Sequence, residues 1–392
     1  MNKEHLKKID DVLKEMVDTG YAAGGNILIL ENGKEVYYSQ AGFRDVENGV
    51  PFDRDTIIRL YSMSKPITGA AAMLLIEDGL LDIDAPVGDY IESFRNQTVA
   101  DRWNNVPVKR PARIRDLLNM SAGITYNGCL NRTEVETCPL VDDGVSRIGT
   151  DNEMTTMELA ERIGAIPLKF SPGEEYNYSF CADVMGAVIE KVSGMRFGEF
   201  LKKRFFEPLG MKDTDFYVPA EKQSRLSKVY KCDGGKVEEF FYNNLIINLK
   251  MDHAPAFESG GAGLATTLDD YAKFATMLMN GGIYEGKRIM QPKTVEFFTT
   301  ASMEDLPRES YFKSEGNNGN EYANYLQIMK DATRSVTVAT NGEYGWDGWL
   351  GPYFRNDPVH KVTMLLGLQR TDTGTTTYTK RLRNVVFSSI EE

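Results

Sequence analysis

Histidine is scarce in this chain: His5, His253 and His360 are the only three among 392 residues. None stands in a motif with a serine or cysteine, and His253, beside Asp252, suits a surface role better than catalysis. A histidine-activated nucleophile is therefore a poor starting point. The Gly-x-Ser-x-Gly elbow and the His-Glu-x-x-His metal helix are both missing, so neither signature points to the chemistry. Asp372-Thr373-Gly374 occurs once and reads as a chance match to an aspartic-protease triplet. Cysteine is limited to four residues. Cys129 and Cys138 share a loop and would pair in an exported protein, but free thiols are expected. The N-terminus carries Leu6, Ile9, Val12, Leu13 and Met16 at helical spacing between charges, without the apolar core of a secretory signal. A cytoplasmic protein is the expectation. No apolar run approaches a membrane span. The net charge of −12 repels phosphate backbones and argues against a nucleic-acid partner.

What is present reads as strands at both ends of the chain and helices between them. Asn26–Leu30 and Val36–Tyr38 flank Asn32-Gly33, a strong hairpin signal. An apolar helix follows from about Ser64 to Asp78, closed by Gly79. Further helices are expected around Met157–Ile163 and Asp183–Val192. Strand signals return at Lys228–Tyr230 and Val237–Phe241. A helix over Leu268–Met279 starts at the capping pattern Thr267-x-x-Asp270. Trp349–Phe354 and Val362–Gln369 read as strands joined by Asn356-Asp357-Pro358, and a last helix runs over Thr376–Ser388. Ser310–Asn320 reads as a mobile polar loop. The pattern implies an α+β fold: one antiparallel sheet built from both termini, with an all-helical region inserted. The expected division is 1–62 with 227–392 as the sheet domain and 63–226 as a mainly helical domain, with the active site in the cleft between them.

Ser62-Met63-Ser64-Lys65 is the remaining candidate for chemistry. A Ser-x-x-Lys pair places both side chains on one helical face. Lysine activates serine only as a neutral amine, and bringing its pKa from ~10.4 to near 7 needs roughly 4–5 kcal/mol of environmental bias. Burial against the apolar run Ile67–Ile76 and the positive end of the helix both push that way. A second such pair, Ser310 and Lys313, lies in a polar stretch with no apolar helix behind it.

The segment Ile57-Ile58-Arg59-Leu60-Tyr61-Ser62-Met63-Ser64-Lys65-Pro66-Ile67-Thr68 resembles the active-site box of the serine β-lactamase and penicillin-binding-protein superfamily. The likeness continues through Glu77–Val87, Ile114–Leu118, Pro208–Thr214 and Gly260–Leu264, and its nearest type is class C. It implies a β-lactamase/transpeptidase-like α/β sandwich. The family's Tyr-x-Asn box has three candidates here. Tyr322-Ala323-Asn324 and Tyr242-Asn243-Asn244 match the letters, whereas Pro172–Ser179 matches the context and assigns Tyr178. The box's Asn is then replaced by Phe180, which cannot hold an acyl-side amide. The third box, usually Lys- or His-Thr-Gly, is Trp346-Asp347-Gly348, where Asp347 would repel a substrate carboxylate.

The resemblance thus implies Ser62, Lys65 and Tyr178 as catalytic residues and the N–H groups of Ser62 and Trp349 as the oxyanion hole. Tyr61, Phe180, Trp346, Asp347 and Gly348 are the implied substrate-binding set. The aromatic group of Tyr61, Tyr176, Phe180, Trp346 and Trp349 reads equally as an apolar pocket or as core. Tyr178 to Gly186 resembles the esterase branch. The expected activity is carboxylic-ester hydrolysis of a small molecule through an acyl-enzyme, without metal or organic cofactor. The alternatives are a β-lactamase, a D-amino-acid-specific peptidase, and a non-catalytic binding protein on the same fold.

Overall fold

The computed structural model describes residues 1–391. Eight strands form one antiparallel sheet: β1 (Gly24–Glu31), β2 (Lys34–Asp45), β3 (Val50–Pro51), β4 (Asn320–Ala323), β5 (Leu326–Met329), β6 (Tyr344–Asp347), β7 (Tyr353–Asp357) and β8 (Val362–Leu368). Their spatial order is β4-β5-β6-β7-β8-β1-β2-β3, so the first and last strands of the chain pair at the centre. Ile27 lies opposite Leu366 and Ile29 opposite Met364 in that pairing. The β1–β2 turn has Asn32 at φ 54° and Gly33 at φ 72°, the left-handed pair that a two-residue hairpin loop demands.

Six helices position the rest: α1 (Lys8–Asp18), α2 (Lys65–Glu77), α3 (Cys181–Ser193), α4 (Leu268–Met279), α5 (Asp305–Glu315) and α6 (Thr377–Ser388). Alternation along β1 sends Ile27 and Ile29 to one face, against Ile9 and Leu13 of α1 and Leu382 and Val386 of α6. Leu28 and Leu30 point to the other face, into the larger core that holds α2, α3 and α4. A sheet buried on both faces explains why β1 reads as a continuous apolar run. Helix α2 is buried at every position from Lys65 to Leu75. Gly69 permits this, since a Cβ there would lie 2.7 Å from the carbonyl oxygen of Asn324.

Three expectations need correction. Most of Ser310–Asn320 is helical: α5 extends to Glu315, and Gly316–Gly319 alone connects it to β4. Its buried residues, Pro307 and Tyr311, are a single i,i+4 pair, with Leu306 left exposed, too sparse a stripe to recognise. The strand placed at Trp349–Phe354 starts at Tyr353 instead. Residues 349–352 form a turn with Gly351 at φ 90°, and Asn356 and Asp357 close the strand rather than the turn. The strands expected near 228–241 form a separate two-stranded hairpin, Val229–Asp233 with Lys236–Phe240. Strands β4 and β5, four residues each, were not anticipated.

Candidate active site

The chain enters α2 through a tight turn over Tyr61–Ser64. Tyr61 has φ 44°, a left-handed backbone that costs a bulky residue energy. Packing holds it there: the ring is 1% exposed and lies 5.0 Å from that of Trp349. Pro66 follows in the first turn of α2, where its fixed φ suits the helix and its missing N–H costs nothing. The strained turn presents Ser62 at the head of the helix. Neither the Ser62 N–H nor the Trp349 N–H has a hydrogen-bond acceptor among the described residues.

Lys65 Nζ lies 3.2 Å from Ser62 Oγ, 3.2 Å from the Tyr126 hydroxyl and 2.8 Å from the Gly261 carbonyl oxygen. The lysine is fully buried. Burial lowers its amine from 10.5 to about 8, against the opposing charges of Asp183, Cys181 and Asp347. Asp183, on α3, accepts from Ser259 Oγ and from the Gly261 N–H at 3.1 Å. Burial raises its carboxyl, with Lys65 pulling the other way. The segment that carries Gly261 threads between α2 and α3 because it is small: a Cβ on Gly260 would sit 2.3 Å from the Ala182 carbonyl oxygen.

Tyr178 stands just before α3, its ring centroid 4.6 Å from Lys65 Nζ. Its hydroxyl accepts a 2.8 Å hydrogen bond from Trp346 Nε1. Burial pushes the phenol well above its ordinary range, and hydrogen bonding with Ser62 and Trp346 opposes this. Of its two rivals, Tyr322 is fully buried and packs 4.7 Å from Trp346, while Tyr242 is 64% exposed. Just past β6, Gly348 passes close to the Ser62 turn, where a Cβ would come within 2.1 Å of the Leu60 carbonyl oxygen. That approach brings Trp349 beside Tyr61. The other Ser-x-x-Lys pair is structural: Ser310 Oγ accepts the Tyr176 N–H at 2.5 Å, and Lys313 is exposed.

A cavity of about 550 Å³ opens over Ser62 and Tyr178, with Trp346, Asp347 and Trp349 on its wall. Tyr61 and Phe180, expected on that wall, stand one layer behind it, each 1% exposed. Phe180 instead supports Tyr126, with ring centroids 4.6 Å apart. Tyr176 is also core, packed edge-to-face against Tyr311 and Tyr322. Sequence reasoning missed Tyr126 and Asp183. Tyr126 lies in no motif, and its contact with Lys65 spans 61 positions. Asp183 offered one signal, an acidic residue on the apolar face of a helix.

Residues 9–386 match the Beta-lactamase family. The chain belongs to that family. Protein Rv1367c of Mycobacterium tuberculosis is 28% identical over 370 residues, covering 91% of this chain and 88% of that protein. Esterase EstB of Burkholderia gladioli is 29% identical over 276 residues, 67% of each. Among solved structures, EstCE1, a hydrolase with promiscuous acyltransferase activity, shares the fold: the TM-score is 0.84 at 24% identity, over 98% of this chain and 99% of that one.

Proposed function

We propose that this member of the beta-lactamase family is a serine hydrolase that cleaves carboxylic esters through an acyl-enzyme on Ser62. The observation that carries the reading is the buried Lys65 amine, lowered to about 8 and 3.2 Å from Ser62 Oγ. Lys65 takes the Ser62 proton as Oγ attacks the ester carbonyl carbon. The developing oxyanion is received by the free N–H groups of Ser62 and Trp349. Tyr178 does not start as a phenolate, because burial holds its proton on. Since Trp346 donates to the phenol oxygen, the phenol proton is free to point into the cleft. It passes to the leaving alcohol oxygen as the tetrahedral intermediate collapses, and Lys65 returns a proton to Tyr178. Water then attacks the acyl-enzyme by the same path in reverse, releasing the acid and restoring Ser62.

The ester preference rests on Phe180 and Asp347. Phe180 removes a carboxamide that would hold an acyl-side amide, and Asp347 disfavours the carboxylate of a β-lactam or a peptide stem. The name of EstB agrees with this direction. The test compares kcat/KM for p-nitrophenyl butyrate, nitrocefin and a D-alanyl amide. Faster turnover of the ester is expected; a β-lactam or amide turned over equally fast overturns the ester reading. A fluorophosphonate probe should label the wild type and not Ser62→Ala, and an unlabelled wild type would favour a binding protein.

A further inference from the structure

Resting on the ester-cleaving reading, we propose that the alcohol half of the substrate carries an ammonium group, received between Asp347, Glu315 and the indoles of Trp346 and Trp349. The cavity over Ser62 is lined by three carboxylates, Asp347, Asp372 and Glu315. None of them has a lysine, arginine or histidine within ion-pair distance among the described residues. Asp347 accepts from the Thr375 hydroxyl, Asp372 accepts from Trp349 Nε1 at 2.9 Å, and Glu315 accepts from Ser314 Oγ at 3.1 Å. These are neutral donors, so no side-chain cation is paired with any of the three; Lys65 and Arg355 act on Asp347 only from farther off, and Lys380 lines the same cavity without pairing with a carboxylate.

A second observation points to the same ligand chemistry. Asn320, 5% exposed, lines this cavity, and its side-chain oxygen has no donor among the described residues. A buried acceptor without a donor costs free energy unless a bound group supplies one. The cations that share the cavity are engaged elsewhere or stand in solvent. Arg383 pairs with Glu343. Arg355 gives its donors to the Tyr353 hydroxyl and to both oxygens of Gln327. Lys380 is exposed on α6. The partly open indole faces of Trp346 and Trp349 complete a wall suited to a cation, since aromatic faces attract positive charge.

The placement selects the alcohol half. Tyr178, which serves the leaving oxygen, is bonded to Trp346, and both line the cavity together with Asp347. A group on the departing alcohol is therefore the one that meets Asp347. The test measures kcat/KM, by thiol release, for S-(2-dimethylaminoethyl) thiobutyrate, whose protonated amine keeps an N–H to donate, and for its uncharged isostere S-(3-methylbutyl) thiobutyrate. A preference of roughly tenfold or more for the cationic ester is expected, shrinking as salt screens the carboxylates. The ratio should fall toward one in Asp347→Asn, and partway in Glu315→Gln, which alters only the exposed end of α5. Turnover of both esters with a ratio of one or less overturns this inference and leaves the esterase reading standing. A high ratio untouched by either substitution overturns the assignment to these carboxylates. Turnover of neither ester overturns both readings.

Discussion

The pH dependence of acylation should report Lys65. At pH 7 an amine with a pKa of about 8 is neutral in roughly one molecule in ten, whereas at its ordinary value of 10.5 it would be neutral in roughly one in three thousand. Burial thus raises the neutral, proton-accepting form by a factor of order 10². A plot of kcat/KM for p-nitrophenyl butyrate against pH should rise with unit slope and level off near pH 8. The perturbation is Asp183→Asn. Asp183 is the foremost charge holding the Lys65 pKa up. Asparagine keeps an oxygen to accept from Ser259 and the Gly261 N–H, so the local bonds survive. Removing the charge should move the rising limb to lower pH by on the order of one unit. A limb that stays near pH 10, or one that does not move or moves upward in Asp183→Asn, would refute Lys65 as the base.

Gly348→Ala should cost more than tenfold in kcat/KM and lower the melting temperature, because its Cβ would press within 2.1 Å of the Leu60 carbonyl next to the Ser62 turn; retention of full activity would remove the close approach from the account. Glu343→Gln leaves the buried Arg383 guanidinium without its carboxylate and should cost about 3–5 kcal/mol in urea unfolding. His253 is held by Glu153 and Asp252, whose hydrogen bonds raise its pKa above 6.5. Its contribution is full below pH 6.5 and is lost as pH rises through the raised folded value. With the side chain 39% exposed, screening holds this to less than ~1 kcal/mol, so the melting-temperature gap between wild type and His253→Gln should be small and should close above that value.

The sequence by itself determined the candidate pair and the fact that both ends of the chain build the sheet. Ser62 and Lys65 sit one turn apart on a helix too apolar to lie anywhere but inside, and that spacing and that burial are local properties. Asn32-Gly33 likewise dictates its hairpin, because few residues accept two consecutive positive φ angles. Tertiary structure decided what no local pattern encodes. Tyr126 and Gly261 reach Lys65 from 61 and 196 positions away, so the lowered amine is a product of three chain segments closing on one atom. Tyr178 was separated from Tyr322 by depth: both are tyrosines beside Trp346, but the Tyr178 hydroxyl bonds its indole while Tyr322 only packs on it. Phe180 and Tyr61 moved from the cavity wall to the layer behind it, because aromatic residues that read alike in sequence are sorted into lining and core by long-range packing alone.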